Sequence, residues 1–399
     1  MGGAAKASNK IHNSLVNSGI DSNMFVAKKI SNDPKVFVDN SFLYQSKLFL
    51  RQKISSLLIK SFSNDKKNQK SLSIFPSGNL KKMNELHPDI VQLHWINGEF
   101  LSIKDISKIN YPIIWTMHDM WPMCGLEHYT TSDTYSKKKY DEIKKLKFVF
   151  NLNRYAWKKK IKFWKKKFII TTPSKWLLNQ IKGSYLFQDF EGYHIPYPID
   201  TNIWKRKDKL LCKKKLNLDI KKKLILFGAI GGTRDYRKGF DFFEKYIESN
   251  DHSANQIAVF GQEKPKSSFK FKDKIKWLGN INNENHLCDV YNAADLMIVP
   301  SRIDNSPQTA MEAQSCGIPV VAFNISGLPE MVEHNYSGFL CRPYDTDNFI
   351  TTIQKLINSD TILNKFSDNA LKRSVNLWDS SIIAKQYINL YQKTLSNIK

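Results

Sequence analysis

Two acidic residues, Asp304 and Glu312, follow an apolar run, Leu296–Val299, that ends at Pro300 and Ser301. Pro307 suits the first turn of a helix, so Glu312 falls inside that helix and Asp304 in the loop before it. Both carboxylates then lie near the carboxyl end of a strand, where open parallel sheets bind ligands. There a carboxylate can accept both hydroxyls of a ribose or another sugar. A second cluster follows the apolar run Leu224–Phe227: Gly228, Gly231 and Gly232, then Arg234, Arg237, Lys238 and Gly239. A Gly-rich turn between strand and helix lets backbone N–H groups approach a phosphate. Three cations beside it suit a diphosphate.

Histidines mark two further strand ends. His118 and Asp119 follow Ile113–Met117, and His94 and Trp95 close Ile90–Trp95. His118 reads as functional because strand ends carry sites in this architecture; a hydrogen-bonded core histidine is the alternative. His94 and Trp95 either line an acceptor cleft or pack in the core. Asp345 and Asp347 read as a helix N-cap rather than a metal site, so no metal is expected. Gly317 fits a helix C-cap. The cysteines, Cys124, Cys212, Cys288, Cys316 and Cys341, are scattered without zinc-like spacing and read as free thiols of a reducing cytosol.

The elements that must hold these residues alternate short apolar runs with helical stretches. The expected strands are 90–95, 113–117, 168–172 and 193–196, then 224–230, 256–260, 275–278, 296–299 and 319–323. Such alternation means two parallel sheets covered on both faces, an α/β fold with two Rossmann-like domains. The charged segment Pro198–Lys223 separates them. The expected division is 1–200, 201–378 and a last amphipathic helix, 379–399, packing back on the first domain. No run of 18 apolar residues exists, and Met1–Lys10 has no secretory pattern.

The chain has 61 basic and 37 acidic residues in 399, net +24. Half of the excess lies in Lys137–Lys167, with 14 basic residues against Asp141 and Glu142. There Trp157, Ile161, Trp164 and Phe168 share one helical face, with Lys158, Lys159, Lys160, Lys162, Lys165, Lys166 and Lys167 around it. Segment 137–167 is therefore expected to lie on an anionic membrane, to bury its stripe and leave a solvated face, or to do both, with the stripe inside and the lysines facing lipid headgroups.

Taken together, Asp304, Glu312, Ala313, Gly317, Pro319, Val320, Gly327 and Gly338 resemble the donor-site signature of retaining glycosyltransferases of family 4, which have the GT-B fold. Gly2-Gly3, Thr116–Asp119, Pro173–Trp176, Ile195–Asp200 and Arg237–Phe240 fall where that family has counterparts, so the likeness covers nearly the whole chain. It is nearest to the bacterial capsule, O-antigen and exopolysaccharide branch. The resemblance implies two domains facing across a cleft, a nucleotide-sugar donor and a glycan or lipid-linked acceptor. Glu312 would bind the ribose and Asp304 would sit by the transferred sugar. Lys238, with Arg234 or Arg237, would neutralise the diphosphate, Thr233 standing where the family has its usual Arg. Gly2, Gly3, Gly231 and Gly232 would approach the donor, and His118 would face the sugar across the cleft. Cys124 stands alone where relatives carry a Cys cluster.

In such a reaction, fixed cations and N–H groups stabilise the leaving diphosphate, and no cofactor or divalent ion is expected. The expected place is cytoplasmic, peripheral on the inner face of the cell membrane. The strand that should feed Gly2-Gly3 is missing, a loss of roughly 6–15 kcal/mol of apolar burial. That predicts an upstream start codon or a crippled product. Two other classes stay open: a basic RNA-binding protein, although no RNA-recognition motif is present and no nucleic acid is expected, and a GT-B scaffold that has lost catalysis.

Overall fold

The computed structural model describes residues 2–62, 69–131, 151–249, 254–265 and 272–397. The chain divides into two compact units, Gly3–Ile195 with Ala384–Lys399, and Pro196–Ile383. Each is an α/β unit built on a parallel sheet.

In the first unit β1 (Met24–Phe25) and β2 (Val36–Phe37) form a short parallel pair. The main sheet runs β3 (Val91–His94), β4 (Ile113–Thr116), β5 (Ile169–Thr172), β6 (Gly192–His194), all parallel. β4 is buried at all four positions, as its continuous apolar sequence requires of an inner strand. β3, at the edge, alternates buried and half-buried residues. The chain opens on the helix Gly3–Asn17, which packs against β3 through a face containing Ala7, Ile11 and Leu15. The last helix, Ser380–Ser396, returns to this unit from Ala384 onward. There Tyr391 donates to Gln92 and Lys393 pairs with Glu191 at 2.8 Å.

The basic helix, Leu152–Phe163, corrects one expectation. Its apolar stripe is turned into the fold: Trp157 is buried, and Trp164 packs edge-on to Trp115 with ring centroids 5.1 Å apart. Lys160, expected on the solvated or lipid-facing side, is wholly interior. Its Nζ donates to the carbonyls of Trp121, Cys124 and Gly125 at 2.5, 2.9 and 3.1 Å and lies 3.7 Å from the Trp121 ring centroid. The ammonium thus satisfies three carbonyls of a tight loop at a depth where each needs a donor, and burial pushes it down to about 7. Lys160→Met should therefore cost about 3 kcal/mol in urea unfolding. A loss below about 0.5 kcal/mol would show the loop satisfied without it. Residues 137–150 of the basic segment lie outside the described residues. Among the described residues no helix is long and apolar enough to cross a membrane.

The second unit has six parallel strands in the order β12-β11-β10-β7-β8-β9, namely β7 (Lys223–Gly228), β8 (Asn255–Phe260), β9 (Ile275–Trp277), β10 (Leu296–Val299), β11 (Val320–Phe323) and β12 (Gly338–Cys341). The chain lays down β7 to β9 in one direction, then returns beside β7 and lays down β10 to β12 in the other. β7 and β10 thus flank the point where strand order reverses, the place at which such sheets bind ligands. β12 was not among the expected strands. It is an edge strand with two half-buried residues, and a side chain at Gly338 would come within 2.0 Å of the Val320 carbonyl oxygen.

Candidate active site

At the carboxyl ends of β7 and β10 the two clusters meet. The turn after β7 leads into a single 3-10 turn, Tyr236–Lys238, capped by Asp235, which accepts from the Arg237 N–H. The Lys238 ammonium reaches the Asp304 carboxylate at 2.5 Å. A small pocket beside them is lined by Gly228, Ala229, Lys238, Ser301 and Thr309, among others. Lys238 and Asp304 are far apart in sequence but belong to loops that come after neighbouring strands.

The approach depends on Gly239. Its φ is +66°, and a Cβ there would stand 1.9 Å from the carbonyl oxygen of Pro300. The turn carrying Lys238 therefore rests directly on the end of β10. Gly239→Ala should push the turn away from β10, at a stability cost of about 2 kcal/mol. Urea unfolding would check this, and an unchanged stability would mean that the turn can shift off β10 without strain.

Arg302, which sequence reasoning missed, clamps the same turn. Its guanidinium bridges both oxygens of Asp241 at 2.7 and 2.5 Å and stacks on Tyr236 and Phe242 at 3.9 and 4.4 Å. Its backbone N–H donates to the Arg237 carbonyl at 2.7 Å. Its place between Ser301 and Asp304 was the available signal.

The other expected donor residues are placed unequally. Arg237 pairs with Asp235 at 2.6 Å, whereas Arg234 is exposed. Thr233 donates through its N–H and hydroxyl to Gln262 at 3.0 and 2.8 Å. Gly231 has φ +61° and donates to the Gly261 carbonyl, while Gly232 packs against Phe227 and Ala229. Glu312 lies on the helix Gln308–Ser315, one turn beyond the pocket-lining Thr309, and accepts from the Tyr291 hydroxyl at 2.9 Å. Pro307 is the N-cap of that helix and Gly317, at φ +76°, comes just after its end. Gly3 begins the first helix, and Gly2 is exposed, with nothing within 4 Å of a Cβ built on it. Asp345 is the N-cap of Thr346–Ile357, as expected. All five cysteines are free thiols, and Cys288 and Cys316 come within 3.7 Å.

The first unit gathers its own polar cluster at the carboxyl ends of β3 and β4. His94 Nδ1 and His118 Nε2 are 3.0 Å apart. Burial pushes both imidazoles down, His118 to about 4, so both are neutral near pH 7. Asp119 accepts from the Trp95 indole at 3.1 Å, from the Trp121 N–H at 3.0 Å and contacts His128 Nδ1 at 2.7 Å. Burial would raise its carboxyl, but His128, the Trp121 N–H and His118 hold it below its ordinary value. His128 Nε2 in turn lies 2.8 Å from the Ser71 hydroxyl. His94 and Trp95 are thus tied to the His118-Asp119 pair rather than to the apolar core. Trp95 sits at φ +32°, unusual for a bulky residue. Nothing in the spacing of Ser71 and His128 announced their part.

Residues 208–373 match the family model described as Glycosyl transferases group 1. An uncharacterized glycosyltransferase of Methanocaldococcus jannaschii is 25% identical over 49% of this chain and 51% of its own length. The UDP-Gal:alpha-D-GlcNAc-diphosphoundecaprenol alpha-1,3-galactosyltransferase of Escherichia coli is 27% identical over 40% and 43%. These alignments span about half of the relatives or less. The sucrose-phosphate synthase of Thermosynechococcus elongatus matches 99% of this chain and 94% of its own with a TM-score of 0.67 at 16% identity, a likeness of fold. Residues 208–373 of the second unit are thus similar to the group 1 glycosyl transferases, and the chain has an α/β fold with parallel sheets that matches GT-B glycosyltransferase structures.

Proposed function

We propose that the protein is a glycosyltransferase that moves a hexosyl group from a nucleotide sugar to a glycan or lipid-linked acceptor, with retention of configuration. The observation that carries this is the meeting of Lys238 and Asp304 beside the Gly-rich turn at the strand-order reversal. A cation and backbone donors there stabilise the diphosphate as the bond to the sugar breaks. Asp304 serves the transferred sugar and also orients Lys238. Glu312 binds the ribose, and Tyr291 orients it. Arg237 or Arg234 shares the diphosphate charge. Gly231 and Gly232, and Gly2 and Gly3, approach the donor as the family likeness implies. His118 serves the transferred sugar as a neutral imidazole, His94 and Trp95 belong to the acceptor side, and Asp119 holds the indole of Trp95.

The name of the E. coli relative supports a UDP-sugar donor and a diphosphate-linked lipid acceptor, and the family likeness of the sequence motifs supports a place in surface polysaccharide biosynthesis of the capsule or O-antigen kind. Such an acceptor fits a cytoplasmic enzyme peripheral to the inner membrane face. Fixed cations carry the leaving-group charge, so turnover is metal-independent. Residues 1–200, 201–378 and 379–399 are proposed as acceptor domain, donor domain and returning helix.

The test incubates the full chain with UDP-, GDP- and ADP-sugars and a polyprenyl diphosphate glycan, with and without EDTA. Transfer from one donor class to the glycan, with an α-linked product from an α-linked donor, is expected. Absence of both transfer and donor hydrolysis across the panel would overturn the reading. An inverted product, or loss of turnover with EDTA, would overturn the stereochemical or metal-independent part.

A further inference from the structure

The helix Phe42–Phe62 is apolar on two faces. One is fixed to the first unit. Leu48 and Ser55 are buried, the Ser55 hydroxyl donates to Glu99, and Leu58 and Ile59 pack against Leu72, Leu126, Leu152 and Ala156. Gln52 donates to the Gly98 carbonyl at 2.8 Å, which holds the helix in place from a third position. The other face is open. Phe42, Leu43, Phe49, Leu50 and Leu57 are 86%, 64%, 60%, 59% and 65% exposed, and Ile54 is 39% exposed. At 100° per residue these six fall within an arc of about 140°.

So much exposed apolar surface on one arc is unusual for a chain that works alone in water. Its surroundings restrict what can cover it. The helix contains Lys47, Arg51, Lys53 and Lys60 and no acidic residue. Lys47, Lys53 and Lys60 are exposed, and Lys53 reaches over the Phe49 ring at 5.2 Å. A second copy meeting this face about a two-fold axis would bring the lysines of one copy against those of the other, in a chain of net charge +24. An anionic lipid surface has the opposite demand: it accepts the rings and leucines at the headgroup boundary and pairs the ammonium groups with phosphates. Helix 152–163 cannot insert its apolar stripe, because Trp157 is interior, and what it leaves outside is chiefly lysines such as Lys158 and Lys162.

We propose that the exposed arc of helix 42–62 is the surface by which this protein lies on an anionic membrane. The proposal rests on the peripheral membrane position of the proposed function and on none of the sugar chemistry, so it can fail while transfer stands, and the reverse. The partner is the lipid surface itself, recognised by shallow insertion of Phe42, Phe49, Leu50 and Leu57, with Lys53 and Lys60 inside the same arc and Lys47 at its edge extending their ammonium groups to the phosphates.

Flotation of the full chain with vesicles of phosphatidylcholine containing phosphatidylglycerol tests it. Binding should weaken at least about tenfold in a variant carrying Phe49→Ser, Leu50→Ser and Leu57→Ser, and comparably in one carrying Lys47→Glu, Lys53→Glu and Lys60→Glu. Lys165→Glu with Lys166→Glu and Lys167→Glu should change binding less than about threefold. A separate variant, Leu57→Trp, keeps the face apolar and should be quenched by lipids brominated near the headgroup. Four outcomes would overturn the proposal: no binding to anionic vesicles, full binding by the serine variant, loss confined to the 165–167 variant, or no quenching of Trp at 57. A wild-type dimer dissociated by the three serines would also overturn it, in favour of a second copy.

Discussion

Lys238→Ala should lower kcat/KM for the nucleotide sugar by about a hundred- to a thousandfold. Among the described residues around the pocket, Lys238 is the cation held most directly against an acidic partner from the neighbouring strand: the ammonium is 2.5 Å from Asp304, Arg237 is turned to Asp235, and Arg234 is exposed. The position also makes demands on its surroundings. Gly239 must adopt φ +66° against the Pro300 carbonyl, and Arg302 must hold Asp241, Tyr236 and Phe242 together. A fixed cation matters more as charge develops on the leaving diphosphate than in the ground state, so kcat should carry most of the loss. Stability should fall by only about 1–2 kcal/mol, because Lys238 is partly exposed while Asp304 is left buried without its cation. Steady-state kinetics together with urea unfolding separate the two effects. Lys238→Ala with more than a third of wild-type kcat/KM would remove Lys238 from the diphosphate site. Lys238→Arg keeps the charge but brings a planar fork to a place fitted to a point charge, and should recover only part of the rate.

The second large effect is expected at His118. His118→Ala should lower kcat about a hundredfold and leave the donor Kd within about threefold, because a positioned imidazole contributes on that scale to transfer and little to holding the nucleotide. The ring is neutral when it works. Burial pushes it down to about 4, and Asp119, which acts the other way, does not prevent this. Activity should therefore show no ionisation from His118 between pH 6 and 8. The same burial has a stability consequence whose sign comes from proton uptake. Below its ordinary value of 6.5 the unfolded chain takes up a proton that the folded chain refuses until about 4. Stability is thus fully present above pH 6.5 and declines as the pH falls through that window, by about 3 kcal/mol at its acid end from this residue. His94, also pushed down by burial and by His118 beside it, adds to the decline. Thermal unfolding from pH 7.5 to 4.5 should show a slope that His118→Gln reduces. Equal slopes would mean that the imidazole takes up its proton alike in the folded and unfolded chains, and a shifted donor Kd would make it a binding group.

Much of the second unit was legible because its information is contiguous. Leu296–Val299 can only be a buried strand, Pro307 can only start the helix after it, and Gly317 permits the left-handed turn that ends that helix. Asp304 and Glu312 inherit their places from those neighbours, and Asp345 its capping role from the helix behind it. The alternation of apolar runs and helices likewise determined the α/β class, since a fully apolar strand must be covered on both faces. Boundaries moved by a residue or two, and the short edge strand β12 escaped because half of it faces outward.

What the tertiary structure alone decided was which side of each amphipathic segment is covered, and which distant groups meet. Lys160 and its neighbouring lysines look alike in sequence, yet Lys160 points at three carbonyls of a loop that begins at Trp121. The helix 42–62 shows no one-sided pattern, and only its packing on Leu72, Leu126 and Ala156 leaves Phe49 and Leu57 outside. Asp119 meets His128, and His128 meets Ser71, because the backbone of 69–71 pairs with that of 126–128 and the Met120 N–H donates to the His128 carbonyl. Periodicity reports how apolar residues are spaced along one element. The side that is buried, and the partner a buried polar group finds, depend on surfaces contributed by residues far away in the chain.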